Sequence, residues 1–520
     1  MEWHRVPAQT IRRYANITNP CGLMKTGFDN EKYSRIQSEH IKERIDQFGG
    51  KLYLEFGGKL FDDYHASRVL PGFKPDSKID MLMHLKDQVE AIIAVNAGDI
   101  EKNKVRGDLG ITYDMEVLRL IDSFRDRGMY VESVVLTQYL AQPAAKAFEK
   151  RLKALKIKVY KHYPIAGYPL EVEHIVSEEG YGKNEYVHTT RPLVVVTAPG
   201  PGSGKMATCL SQIYHENKRG ISAGYAKFET FPIWNLPLKH PVNVAYEAAT
   251  IDLEDVNMID PFHLEAYGKT SVNYNRDIEI FPVLESMLER ILGKSPYSSP
   301  TDMGVNMVGY CITDDEIASE ASRFEIIRRY FDILRSNKMG LVSDETIQKF
   351  EFLMKNTKIS VDERKIIPAV RKKAGEHDVP VSGIELEDGR TITGKTSELL
   401  GASSAVILNV LKVLAGIDDS VLLMSPDILE PIQKLKIDNL GFANPVLHVD
   451  EMLIALSICA QTDDLAKRAF DQLPRLKGCE MHSSIILSPV DDSMLRRLGI
   501  NVTCEPVNQK NSLYQSRQKI

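Results

Sequence analysis

The chain has 520 residues, of which 43% are hydrophobic and 26% charged, with a formal net charge of −6. This length suits two to four globular domains. The acidic balance lacks the basic footprint of a nucleic-acid binder, and no apolar run approaches a membrane span, so neither partner is expected. Six cysteines (Cys21, Cys209, Cys311, Cys459, Cys479 and Cys504) are scattered without a C-x-x-C pair. That pattern fits free thiols in a reducing compartment and predicts a cytoplasmic protein.

Residues 1–23 are basic, weakly periodic and lack the apolar stretch of a secretion signal. They are expected to form a loose extension, with Met24 an alternative start. From Asp29 to Phe48, apolar residues at helical spacing predict a helix. Lys51 to Phe56 reads as a strand that ends in Gly57-Gly58-Lys59, a turn suited to a ligand or simply to solvent. Val89 to Asn96 is a second buried strand, ending in Ala97-Gly98-Asp99 with Arg106 beyond. Polar residues past the carboxyl ends of parallel strands are where open α/β sheets hold ligands. Asp99 suits a ribose or a metal there, and Arg106 a phosphate.

A helix is expected over Tyr113 to Arg127, a strand over Val131 to Leu136, a helix over Ala144 to Leu155 and a strand over Lys158 to Tyr163. Strands alternating with helices imply βαβ units and a mostly parallel, Rossmann-like sheet with helices on both faces. Next comes the segment around which this half is organised, Leu193-Val-Val-Val-Thr-Ala-Pro-Gly-Pro-Gly-Ser-Gly-Lys205. A buried strand, a glycine turn, a lysine and a helix are the parts that cradle phosphate. Glycines let peptide N–H groups approach an anion, the helix start adds a positive dipole, and lysine adds a charge. The strict pattern G-x-x-x-x-G-K-[ST] is broken twice. Pro199 stands at the first glycine, and Met206 replaces the metal-binding hydroxyl. The candidate ligand contacts are therefore Gly200, Gly202, Ser203, Gly204 and Lys205, with Thr208 the nearest hydroxyl and Lys59, Asp99 and Arg106 on neighbouring strand ends. The alternative is a tight turn that only closes the strand-to-helix connection.

Val242 to Ile251 is apolar and is expected to be a strand ending in Asp252, Glu254 and Asp255. An acidic strand end downstream of a phosphate loop suits Mg²⁺, so Asp252 is the candidate metal ligand, with Glu247 behind it. Asp277 to Leu292 reads as a helix. Residues 24–312 thus form one α/β domain, and 313–380 a helical connector or dimerisation element built on long helices from Asp314, Ser343 and Val361.

In 381–507 a smaller α/β or α+β domain is expected, followed by a polar tail at 508–520. Gly389, Gly394, Lys395 and Thr396 match G-x-x-x-x-G-K-T by letter. The flanks, Ile384-Glu-Leu-Glu-Asp-Gly-Arg-Thr-Ile-Thr393, instead carry the Asp-Gly signal of a β-hairpin. Lys395, Thr396 and Ser397 remain candidates for an anion site if they open the helix that follows. Val421 to Ser425 is read as a strand or buried turn, and Ser483 to Leu487 and Ile500 to Cys504 as strands. Hydrolase motifs fail on inspection. His215-Glu216 lacks the second histidine of H-E-x-x-H, and Pro201 breaks G-x-S-x-G.

Several segments together resemble a bacterial family of uncharacterised proteins, known as a domain of unknown function with N- and C-terminal parts. They are GFDNEKYSRIQSEHIKERIDQF, LYLEFGGKLFDDYHASRVLPGF, VNAGDIEKNKVRGDLGITYD, APGPGSGKMATCLSQ and TGKTSELLGASSAVILNVLK. The resemblance spans roughly 24–507. Some relatives carry the label "ATP-dependent peptidase"; the glycine-lysine turn suits its first half, and no motif here supports its second. The expected function is an enzyme that binds a nucleotide such as ATP, with Mg²⁺, or another phosphorylated metabolite at 198–205, for phosphoryl transfer or hydrolysis. The alternative is a non-catalytic binder or homo-oligomeric assembly protein.

Overall fold

The computed structural model describes residues 26–106, 109–386 and 388–509. The expected extension at 1–23, Met24, Cys21 and residues 510–520 of the tail lie outside the described residues. The chain divides into a unit at Thr26–Arg323 and a second whose described part starts at Phe324. The boundary falls inside the helix Asp315–Lys338.

The first unit is built on six parallel strands: β1 (Leu52–Phe56), β2 (Val89–Asn96), β3 (Tyr130–Thr137), β4 (Lys158–Lys161), β5 (Leu193–Thr197) and β6 (Gly224–Phe228). Their order across the sheet is β4-β3-β2-β5-β1-β6. Strands β1, β2 and β5 are near-continuous apolar runs because helices cover both faces of a parallel sheet. β5 sits between β2 and β1, pairing Leu193 with both Val89 and Leu52. After β2 the chain leaves toward β3, whereas after β5 it leaves toward β6. These neighbours therefore send their connections in opposite directions, which opens a crevice at their carboxyl ends.

The helices used below are α1 (Asn30–Gln47), α2 (Tyr113–Asp126), α3 (Lys205–Lys218), α4 (Pro241–Ala249) and α5 (Asn275–Leu292). Asp29 starts α1 by accepting from the Lys32 peptide N–H at 2.9 Å. Helix α3 is buried from Thr208 to Glu216. Most of its polar groups are paired there, Glu216 Oε2 being an exception. Gln212 accepts from the Val187 N–H and donates to the Val187 carbonyl, both at 2.9 Å, as a neighbouring strand would. Glu216 accepts from Tyr53 at 2.6 Å and Tyr186 at 3.0 Å.

One expectation for this unit is corrected, and one strand carries no sequence signal. Val242 to Ile251 is not a strand but α4, with Pro241 in its first turn and His240 as its cap. Proline fits the first turn of a helix because it lacks the N–H that would go unpaired there. Strand β6 went unread because Lys227 interrupts a five-residue run that begins with glycine.

The second unit holds a four-stranded mixed sheet made of β7 (Val381–Glu385), β8 (Thr391–Lys395), β9 (Glu480–Ser483) and β10 (Asn501–Cys504), in the order β8-β7-β9-β10. Only the β9–β10 pair is parallel. Its core is formed by Ile384, Val406, Ile407, Val410, Leu411, Met452 and Leu456. The hairpin at Asp388-Gly389 is present, with Gly389 at φ +79°. Gly394 lies inside β8, where any side chain would overlap the backbone at Val406. The next helix begins at Ala402, capped by Gly401, so Lys395, Thr396 and Ser397 do not open it. The letter match at 389–396 therefore has hairpin geometry. The strand expected at Ser483 to Leu487 lies earlier, at Glu480–Ser483, and Val421 to Ser425 contains no strand.

The helical stretch expected as a connector is part of the second unit from Phe324 onward. Phe331 packs edge-on against His482, with centroids 4.9 Å apart. Arg364, fully buried, pairs with Glu480 at 2.7 Å. Among the described residues, no helix is long and apolar enough to cross a membrane.

Candidate functional site

A cavity of about 340 Å³ opens at the carboxyl ends of the first unit's strands. The turn after β1 supplies Gly57, Gly58 and Lys59, and the turn after β5 supplies Thr197 to Pro201 and Lys205. Glu229 follows β6, and α2 brings Tyr113 and Arg119. Arg106, Tyr246, Thr250, Asp255 and Arg276 complete the polar wall. The cavity thus sits at the crevice that the strand order predicts for an α/β ligand site.

The 198–204 turn is shaped by three constraints. Gly202 and Gly204 have φ of +74° and +85°, a region that side chains disfavour. Ser203 is buried and donates its hydroxyl to the Gly200 carbonyl at 2.9 Å. Thr137, at the end of β3, donates to the Ser203 carbonyl at 2.8 Å. The peptide N–H groups of Gly200, Gly202 and Gly204 make no hydrogen bond of standard length and angle to any described residue. They are donors of the kind that an anion collects. Lys205 is half-buried in the first turn of α3, and among the described residues no carboxylate is ion-paired with it.

Of the residues selected from sequence, Gly200, Lys205, Lys59 and Arg106 line this one cavity. Gly202, Ser203 and Gly204 shape the turn without lining it. Thr208 is buried and spends its hydroxyl on the Gly204 carbonyl at 2.8 Å. Asp99 lies outside the lining and pairs with Lys104 at 3.2 Å. Asp252 follows a helix rather than a strand, is exposed, and is also outside the lining. Asp255 takes the place in the wall that the sequence suggested for Asp252. Among the described residues, no three His, Cys, Asp or Glu side chains are grouped to hold a metal ion.

The cationic wall is organised by Glu116 on α2, a buried carboxylate. It accepts from Arg119 at 2.7 and 2.9 Å and pairs with Arg106. One carboxylate thereby holds two guanidinium groups side by side, and Arg119 also meets Asp62 at 3.5 Å. Lys59, Arg106, Arg119, Lys205 and Arg276 together outnumber the lining carboxylates, Glu229 and Asp255.

A charged cluster behind Glu229, Asp255 and Arg276 carries no local sequence signal. Glu55 on β1 lies across from Lys227 on β6. Lys227 contacts both Asp277 oxygens at 2.6 Å and Glu229 Oε1 at 3.2 Å. Burial alone would lower the Lys227 pKa, but Asp277, Glu229 and Glu55 outweigh it and hold the amine charged. Burial pushes the Glu229 carboxyl up to about 7; Asp277 and Glu55 add to that rise, while Lys227 and Arg276 oppose it. Asp255 pairs with Arg276 at 3.2 Å, and burial raises its pKa too. Four short segments far apart in sequence build this cluster, and only Glu229, Asp255 and Arg276 of it reach the cavity. The nearest signal was the cluster of acids at 252–255.

The fold and cavity define a two-part α/β protein with a cation-lined pocket at the switch point of its parallel sheet. Domain of unknown function DUF1846, N-terminal, matches residues 26–358, and its C-terminal counterpart matches 362–514. The chain belongs to this family. It is 58% identical over 493 residues to a UPF0371 protein of Streptococcus thermophilus (strain ATCC BAA-491 / LMD-9), covering 95% of this chain and 100% of the relative. A UPF0371 protein of Streptococcus pneumoniae (strain JJA) is similar to the same extent.

Proposed function

We propose that the first unit binds a small phosphorylated ligand, a nucleotide or a phosphorylated metabolite, in the cavity at the ends of β1, β5 and β6. One observation carries this reading. Lys205 has no ion-pair partner among the described residues and lines the same cavity as Arg106 and Arg119. It opens a 14-residue helix behind a turn with uncommitted N–H groups. An unneutralised amine, a helix start and peptide donors are the elements that bind phosphate oxygens. Phosphoryl transfer or hydrolysis is the chemistry such a site favours, because it rests on positioning and charge neutralisation. A nucleotide would bring Mg²⁺ with it, and the lining carboxylates Glu229 and Asp255 are the candidates to meet the ion. Cytoplasmic residence is part of the proposal and rests on free, buried cysteines at 209, 311, 459 and 504.

A second reading, binding or homo-oligomeric assembly without turnover, is favoured by the hydroxyl chemistry of the loop. Met206 follows Lys205, and Thr208 is committed to the Gly204 carbonyl. Thermal-shift titration of the full chain with nucleotides and phosphorylated metabolites, with and without Mg²⁺, tests both readings. Ligand at 100 times its dissociation constant stabilises by about 2.7 kcal/mol. A shift lost in Lys205→Ala supports the site, and Mg²⁺-dependent product formation separates enzyme from binder. No shift with any phosphorylated compound overturns the proposal.

A further inference from the structure

We propose that the ligand is a sugar phosphate or polyol phosphate, with its phosphate at the Gly200–Lys205 turn and its hydroxyls against Glu229. The inference rests on the phosphate reading of the cavity and names what fills the remainder.

The first argument is spacing. Glu229 follows β6 and the glycine turn follows β5, and β1 lies between these two strands. Neighbouring strands are about 4.8 Å apart, so the two ends of the cavity are separated by about 10 Å. A bare phosphate cannot bridge that distance, whereas a five- or six-carbon sugar phosphate can. A volume of about 340 Å³ agrees with a small ligand of that size.

The second argument is chemistry. Glu229 is 23% exposed at its side chain and lines the cavity. Lys227 occupies Oε1 at 3.2 Å, and no described residue hydrogen-bonds Oε2. The backbone makes room for this carboxylate, since a side chain at Gly57 would overlap it. A carboxylate facing a phosphate-bearing ligand repels any further anionic group. It accepts readily from hydroxyls, and Arg276, whose charge reaches Glu229, adds donors for the oxygens of the same hydroxyls. The cavity therefore has a cationic end and an acceptor end, which matches a ligand that is anionic at one terminus and hydroxylated at the other. The raised Glu229 pKa adds to this match, because a carboxyl near neutrality both donates to and accepts from hydroxyls.

The test is calorimetric titration of the full chain with a panel of pentose, hexose and pentitol phosphates, inorganic phosphate and n-butyl phosphate. The wild type, Glu229→Gln and Lys205→Ala are compared. At least one sugar or polyol phosphate should bind the wild type 100-fold or more tightly than inorganic or butyl phosphate. Glu229→Gln should weaken that ligand about tenfold and leave inorganic phosphate unchanged, whereas Lys205→Ala weakens every phosphate ester. Equal affinity for butyl phosphate and every panel member overturns the inference while leaving the phosphate site intact. So does a Glu229→Gln variant with unaltered selectivity. If no panel member binds, this inference fails, and the nucleotide titration above decides the proposed function. The wild-type panel alone decides the point should Glu229→Gln fold poorly.

Discussion

The hydroxyl of Tyr113 fills the space that a side chain at Gly200 would need. Tyr113 itself is fixed from outside by the amine of Lys104, 5.1 Å above its ring. Gly200 is thus required for close approach, and not for a left-handed backbone. Gly200→Ala should push Tyr113 into the cavity and weaken phosphate binding. Overpacking of this kind costs about 1–3 kcal/mol. Urea unfolding and phosphate titration check it, and Tyr113→Leu in the same background should recover part of both. Unchanged stability and binding in Gly200→Ala would show that the ring moves freely.

Glu229 makes a pH-dependent contribution. Lys227, Arg276, Asp277 and Glu55 are the charged groups around it. Its carboxyl keeps a proton up to about pH 7 in the folded chain, against 4.5 when unfolded. Between those values the folded state binds more protons, so stability falls as pH rises and the loss is complete above 7. The full shift corresponds to about 3 kcal/mol. Glu229→Gln should therefore match the wild type in thermal melts at pH 5 and exceed it at pH 8. Identical melts at pH 8 would count against a strained carboxylate.

His162 has the opposite dependence. Burial, with a smaller effect of His215, lowers its pKa to about 4, and its ring Nε2 meets the Glu185 carbonyl at 3.2 Å. The neutral ring stabilises the fold fully above pH 6.5, and this is lost as pH falls through 6.5 toward 4. The stake is again about 3 kcal/mol. His162→Gln should flatten the acid limb of the stability profile between those pH values. An equally steep limb would place the acid sensitivity elsewhere.

In the second unit, Glu480 balances two arginines, Arg364 at 2.7 Å and Arg328 at 2.6 Å. Arg328 has Glu325 as well, at 2.7 Å. Arg364 is fully buried and depends on Glu480. Glu480→Gln leaves that guanidinium uncompensated, and removing one partner of a buried pair costs about 3–5 kcal/mol. Chemical unfolding followed by far-ultraviolet circular dichroism should register the loss. A cost below 1 kcal/mol would mean that water reaches Arg364.

The cationic half of the site was legible in the sequence, because strand β5, its glycine turn and Lys205 are contiguous. Likewise, β1 and β2 announce themselves as apolar runs ended by glycine. The acceptor half was not legible. Lys227 makes sense inside a strand only once Asp277, fifty residues later, is beside it. The same holds for α4, whose valines and alanines suit a strand as well as a helix; Pro241 was the deciding residue. Asp252 suits a metal only if a strand precedes it; with a helix there, Asp255 is the acid that reaches the wall. The G-x-x-x-x-G-K-T match shows the converse. Identical letters in a hairpin place Gly394 against the backbone at Val406 and leave no loop mouth.

The strand order also dictates a sequence of events during synthesis. β1 and β2 leave the ribosome early, yet they are not neighbours in the finished sheet, because β5 lies between them. Until residue 197 emerges, the two oldest strands of the sheet's middle must stay apart or pair wrongly. Such long-range pairing slows folding and leaves unpaired strand edges exposed meanwhile. The segment that carries the glycine turn is therefore also the wedge that completes the sheet. A defect in β5 should appear first as aggregation of nascent chains, before any ligand is involved.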